Sequence, residues 1–194
     1  MNALLSRKKG CFSFLAIALG LTLAMSSVTT SYAASAKEID TSVDVALDRF
    51  FKQVDGAKEF AKNAKGLLVM PGVVKAGVGI AGEYGQGALR IGGKTANYYN
   101  IAGASIGLTI GGEKKDIILA FMTDEALKKF QGSANWEAGV DGNVALISIG
   151  AGTRLDTTTM KDPIVGFVFD TKGLMADASL KGSKFTKLDK SKDK

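Results

Sequence analysis

Three stretches of this chain carry spacings associated with chemistry, and each lacks a residue that the chemistry requires. Gly77-Val78-Gly79-Ile80-Ala81-Gly82 reproduces the glycine pattern of dinucleotide-binding turns. That pattern works where a helix opens within it, so that phosphate meets the helix N-terminus. Here Glu83-Tyr84-Gly85-Gln86-Gly87 follows, which is poor helix material, and no acidic residue stands about twenty positions on. Gly103-Ala104-Ser105-Ile106-Gly107 has the spacing of a nucleophile elbow, but the chain contains no histidine to act as base. A serine–lysine pair is the form left open, and nothing singles out its lysine. Gly93-Lys94-Thr95 echoes the end of a phosphate-binding loop whose first glycine would fall at Ala88, so Gly92-Gly93 reads instead as a hairpin turn. Asp141, Asp156, Asp162 and Asp170 are scattered without the calcium-loop pattern and read as turn residues. The expectation is a protein that binds rather than catalyses, with no catalytic residue, cofactor or metal site.

Cysteine narrows the chemistry further. The single cysteine, Cys11, precedes an uncharged apolar run from Phe12 to Met25, which itself follows Arg7-Lys8-Lys9. A small-residue stretch ending in Ala33 comes next. This order predicts a secretory signal peptide over residues 1–33, cut after Ala33, with a cut after Ala36 as the alternative. An uncleaved N-terminal anchor is the competing interpretation. The run is short for a membrane span, and Cys11 lies on the wrong side of it for lipid attachment. Cleavage leaves 161 residues with 22 basic and 19 acidic side chains, a charge of +3, and neither histidine nor cysteine. Thiolate zinc sites, disulfides and histidine-dependent nucleophiles are thereby excluded from the mature chain. A charge of +3 without an arginine-rich or aromatic-interleaved stripe gives no support to a nucleic-acid partner.

The elements that must position any binding residue divide into two kinds. Val43, Leu47, Phe50 and Val54 recur at helical spacing, with Asp40 or Thr41 as the expected cap and Gly56 as the expected stop. A second helix is predicted from about Ala57 to Lys65, with Gly66 as its stop. On that helix Lys58, Lys62 and Lys65 stand at i, i+4 and i+7, which places three ammonium groups on one face. From Leu67 onward about ten short β-prone runs alternate with glycines. Gly92-Gly93, Gly111-Gly112, Asp141-Gly142 and Lys172-Gly173 are the expected turns. A short helix from Asp124 to Phe130, capped by Thr123, interrupts the strands. The fold class expected is α+β and mainly antiparallel: a strongly curved glycine-rich sheet or barrel-like sandwich, with two N-terminal helices and one short helix between strands. One domain over residues 37–188 and a charged tail over 189–194 complete the organisation.

Lys65-Gly66-Leu67-Leu68-Val69-Met70-Pro71 and the run Gly77 to Gly87 resemble the opening of the SYLF domain, a lipid-binding family of bacteria and eukaryotes. The resemblance continues through Tyr99-Asn100, Ala104 to Gly107, Phe121 to Leu127 and Trp136 to Asp141. It closes with Gly166 to Phe169, Lys172 to Met175 and Leu180 to Lys184. What the resemblance implies is binding. Eukaryotic relatives bind phosphoinositides and other anionic lipids, yeast members also bind actin, and a basic amphipathic N-terminal helix contributes to membrane contact. The matching region here is Ile39 to Lys65, where Asp40, Asp44 and Asp48 make the first helix less basic than that role asks. An exported protein also rarely meets actin or phosphoinositides.

The residues for head-group contact are then Lys52, Lys58, Lys62, Lys65 and Lys75, each worth on the order of 1 kcal/mol near an anionic surface. Phe50 and Phe51 are adjacent and cannot share a narrow helical stripe, so Phe51 is the candidate for membrane insertion. A solvated lysine face and two core phenylalanines are the competing interpretations. Trp136, Tyr98 and Tyr99 suit either an interface or the barrel interior. Two functions follow. One is an extracytoplasmic protein, periplasmic or secreted, that binds anionic phospholipid at a membrane surface. The alternative is an envelope structural module with a protein partner.

Overall fold

The computed structural model describes residues 34–150, 155, 161–173 and 179–191, with side chains outside 106–109. The predicted signal peptide, Asp156 and most of the run expected as a strand over 174–180 lie outside the described residues. Helix α1 runs Ala36–Gln53. Its cap is Ser35, neither Asp40 nor Thr41. The Ser35 hydroxyl accepts the Glu38 N–H at 3.3 Å, and the Glu38 carboxylate accepts the Ser35 N–H at 2.8 Å. This reciprocal capping box satisfies two N–H groups and starts the helix earlier than the apolar stripe alone suggested. Asp40 is released to face the sheet, where it accepts from Tyr98 at 2.8 Å and Thr95 at 2.6 Å. Val54, not Gly56, closes α1, while Gly56, at φ +83°, begins helix α2, Ala57–Asn63.

The β region corrects the expectation of about ten short strands. The runs from Gly66 to Phe121 form two long strands, β1 Gly66–Ile91 and β2 Lys94–Phe121, paired antiparallel. Glycine inside a strand weakens it but removes no hydrogen bond, so a covered or paired strand can run through it. Gly92-Gly93 is the hairpin turn, with both φ positive at 56° and 79°, as a tight two-residue turn requires. Gly111-Gly112, expected as a turn, instead pairs with Gly77 and Ala76 within the ladder. Bulges at Met70/Val73 and Val78/Ile80 bend the hairpin along its length. Pro71, which has no N–H to give the ladder, falls in the first bulge, and Gly79, at φ +73°, falls in the second. β1 curls so far that its two ends abut: a Cβ on Gly87 would overlap the Val69 carbonyl.

Helix α3, Asp124–Gly132, follows β2, and the Thr123 hydroxyl caps it by accepting the Ala126 N–H at 3.2 Å. Among the described residues, strands β3 Asn135–Glu137, β4 Ala145–Ser148, β5 Ile164–Gly173 and β6 Lys184–Leu188 complete a six-stranded sheet ordered β3-β6-β2-β5-β4, with β1 on β2. Every pairing between these strands is antiparallel except β4 with β5. The expected class, a curled and mainly antiparallel sheet with two N-terminal helices and one between strands, is the one found.

Two cores lie on the two sides of this sheet. Inside the curl, Leu68, Met70, Ile101, Leu119, Phe121 and Phe185 pack with α3, whose Phe130 stacks on Tyr99 at 4.8 Å and meets Trp136 edge-on at 5.5 Å. Tyr99 and Trp136 therefore fill the interior, whereas Tyr98 is half-buried on the outer side. Outside the curl, α1 and α2 lay Ile39, Val43, Phe50 and Phe60 over Val69, Ala88, Ile118, Ala120 and Phe167. Burial of this kind is worth roughly 1.5–3 kcal/mol per large apolar side chain.

Candidate functional site

The helices are held to the sheet by ion pairs as well as by apolar packing. Arg90 of β1 reaches α1, with its guanidinium 2.7 Å from Asp44 and 3.4 Å from Asp40. Arg49 of α1 reaches the other way, 2.5 Å from Asp116 and 3.4 Å from Asp170. Two of the aspartates that weakened the case for a basic helix are therefore clamps. Between α1, α2 and the Gly92-Gly93 turn lies a groove of about 500 Å³. Leu47, Phe51, Ala61, Ala64 and Leu67 give it an apolar floor, and Lys58, Lys62, Arg90 and Asp44 line its rim.

This groove gathers three of the six sequence-predicted residues: Phe51, Lys58 and Lys62. Phe51 is half-buried and lies 5.9 Å from the fully buried Phe50, centroid to centroid. Lys58 and Lys62 are exposed one turn apart, and Lys62 pairs with Glu59 at 3.3 Å. Lys65 is exposed, but α2 ends before it and Ala64 is extended, so the expected three-lysine helix face contains two. The Lys65 N–H instead donates to the Phe121 carbonyl at 2.8 Å, which ties the chain to β2. Lys52 is exposed and paired with Asp48 at 2.5 Å. Lys75 is elsewhere and only 6% exposed, so head-group contact by this side chain is corrected: alternation along β1 turns it into the curl.

Inside the curl is a constellation that the sequence reading missed. Lys115 is fully buried, with its ammonium 3.0 Å from Glu113 and 3.2 Å from Glu83. Ser183 donates to the other Glu83 oxygen at 2.8 Å. Burial opposes the charged lysine, but the Glu83 charge and the bond to Glu113 outweigh it and raise its pKa above the ordinary 10.5. The signal was present as Lys75, Glu83, Glu113 and Lys115 at inward positions of two strands, but it becomes visible only with the register. Ser105 lines the same small polar cavity as Lys75 and Lys181. Of the scattered aspartates, Asp141 accepts the Glu137 N–H at 2.8 Å in its turn, and Asp170 pairs with Arg49 and Lys172.

Compared with known proteins, residues 102–194 match the family model Ysc84, described as Las17-binding protein actin regulator. This is the SYLF domain. The match covers 93 of the 194 residues. The match spans the second half of β2, α3 and β3 to β6, in agreement with the resemblance read from the sequence. All six predicted contact residues precede the SYLF match, so it assigns none of them a role. The comparison with curated proteins gives no match.

Proposed function

We propose that this protein is an exported lipid-binding protein that contacts anionic membrane lipid through the groove between α1, α2 and the β1–β2 turn. The observation that carries this reading is an apolar floor with basic side chains at its rim. An amphiphile with a negative head group matches both parts: its chain takes the place of water on Leu47, Phe51 and Leu67, and its head meets Lys58 and Lys62. The SYLF match over residues 102–194 supports a lipid partner. Actin regulation, named in the family's description, is set aside because the N-terminal signal pattern directs this chain out of the cytoplasm. The protein acts by binding and not by catalysis, in the periplasm or outside the cell, as a peripheral membrane protein. An envelope-extracted protein whose intact mass retained residues 1–33 would remove the export part of this reading.

The binding part is tested with vesicles of phosphatidylglycerol and phosphatidylcholine. Lys58→Glu, Lys62→Glu and Lys65→Glu together should leave the fold intact, since exposed changes cost within about 0.5 kcal/mol each. Three lost cations at on the order of 1 kcal/mol apiece predict about 100-fold weaker vesicle binding, and raised salt on the parent should act in the same direction. A folded triple variant that binds like the parent would leave this rim as solvated surface. A parent that binds no vesicles would favour a protein partner in the envelope instead.

A further inference from the structure

The middle of the β1–β2 hairpin inverts the usual arrangement of a sheet in water. Among the described residues, β2 from Gly103 to Gly112 pairs with β1 alone, as a ribbon in the middle of the hairpin. Its inward side carries the charges Lys75, Glu83, Glu113 and Lys115, all buried. Its outward side carries aliphatic residues in water: Val78 is 77% exposed, Ile110 76% and Ile80 64%. Val78 and Ile110 are cross-strand partners, so they form one apolar patch at the bend marked by Gly79. Around them the outward positions are Ala76, Gly82, Ala104 and Gly112, small and uncharged. In a half-solvated sheet this polarity runs the other way, and an apolar outside over a polar inside is the pattern of sheets that face lipid.

The charges at the margins of the ribbon identify what covers it. Lys114 and Lys172, partners in the β2–β5 register, are exposed at its base. The glutamates of the ribbon point inward and are bound to Lys115, so its outward charge is cationic. An apolar tip with lysines behind it is complementary to a bilayer with anionic head groups: aliphatic side chains enter the acyl boundary and ammonium groups stay at head-group level. By contrast, α1 and α2 together with Lys65 carry six basic and six acidic residues over 36–65, so attraction there is confined to the groove rim, where Lys58 and Lys62 stand. We propose that the β1–β2 ribbon, through Val78, Ile80 and Ile110, is the element that inserts into the anionic bilayer. This inference rests on the lipid-binding reading and adds the site of insertion to it.

The test uses the exported chain cut after Ala33, which carries no cysteine of its own, so that a single new cysteine can carry an environment-sensitive dye. A dye at Val78→Cys should shift to shorter wavelength on addition of phosphatidylglycerol vesicles and be quenched by lipids with nitroxide-labelled acyl chains. A dye at Val140→Cys, 73% exposed in the β3 turn, should do neither. Val78→Asn with Ile110→Asn should weaken vesicle binding about tenfold or more while the melting temperature stays within a few degrees of the parent. Vesicle binding by the parent with an unchanged dye at position 78 would overturn the insertion site and leave lipid binding standing. A parent that ignores the vesicles would overturn both. A dye shift that appears without lipid and grows with protein concentration would assign the patch to a second copy of the chain and overturn insertion.

Discussion

Near its Gly92-Gly93 turn and at its two ends, the β1–β2 hairpin keeps apolar residues inside the curl and hides its outer side beneath α1 and α2. In its middle, the same two strands put charges inside and leave aliphatic residues bare. Both arrangements come from one alternation of side chains along continuous strands. The difference lies in what each outer side meets. Ile118 and Ala120 of β2 lie under the helices, whereas Lys114, Gly112 and Ile110, which continue their side, are exposed. The covered half shows that this chain can pair an apolar outer face with a protein element. The bare half therefore reads as a face kept for a partner outside the chain, since an uncovered aliphatic patch earns no stability in water.

The largest expected effect separates the two halves by what holds each together. Lys115→Met removes the cation between Glu83 and Glu113 and leaves buried carboxylates without it, which predicts a loss of about 3–5 kcal/mol. Replacing all three together, with Glu83→Gln and Glu113→Gln, should return part of that loss, because the buried carboxylates are then gone as well, while Lys75 keeps its charge inside the curl. Chemical denaturation of the single and triple variants at neutral pH checks both statements. If Lys115→Met costs under about 1 kcal/mol, the ribbon interior is not held by its ion pairs and the contrast between the halves disappears.

Much of this architecture was legible in the residue pattern, for physical reasons that also explain the misses. The buried stripe of α1, the Thr123 cap and the Gly92-Gly93 turn follow from local rules, since each depends on residues within one turn of the chain. The long strands were misread as short ones because glycine was taken as a stop. Gly77, Gly82, Gly103 and Gly112 remain paired in the ladder, and only bulges bend it. The cap at Ser35 lies ahead of the apolar stripe from which Asp40 or Thr41 was expected, and the partners of Asp40 across the sheet, Thr95 and Tyr98, show why that carboxylate is otherwise engaged. Of the lysines, Lys58 and Lys62 were placed correctly on an exposed helix face by spacing alone. Lys75 could not be placed: whether a strand lysine points in or out depends on register after the Met70/Val73 bulge.

The smallest effect is a pH dependence shared by the two halves. On the inner side near the turn, Tyr99 has its phenol pKa raised by burial, and its hydroxyl has no hydrogen-bond partner among the described residues. On the outer side, burial and then the bond to Asp40 raise that of Tyr98. In the ribbon, the balance of burial against Glu83 and Glu113 raises that of Lys115. A group whose pKa is higher folded than unfolded holds its proton more tightly in the native state. Its contribution is complete below the unfolded value and is lost as pH rises through the folded one. Stability should therefore be flat toward neutral pH and decline first above the ordinary tyrosine value of 10.0, then further above the lysine value of 10.5. Tyr99→Phe should remove part of the first decline. At neutral pH it should leave stability equal or slightly higher, by up to about 1 kcal/mol, because the lost hydroxyl satisfied nothing. Denaturation midpoints of the parent and Tyr99→Phe between neutral and strongly alkaline pH measure this. A Tyr99→Phe variant with clearly lower stability at neutral pH would mean that the hydroxyl has a partner, and that the inner side of the covered half is less purely apolar than its packing indicates.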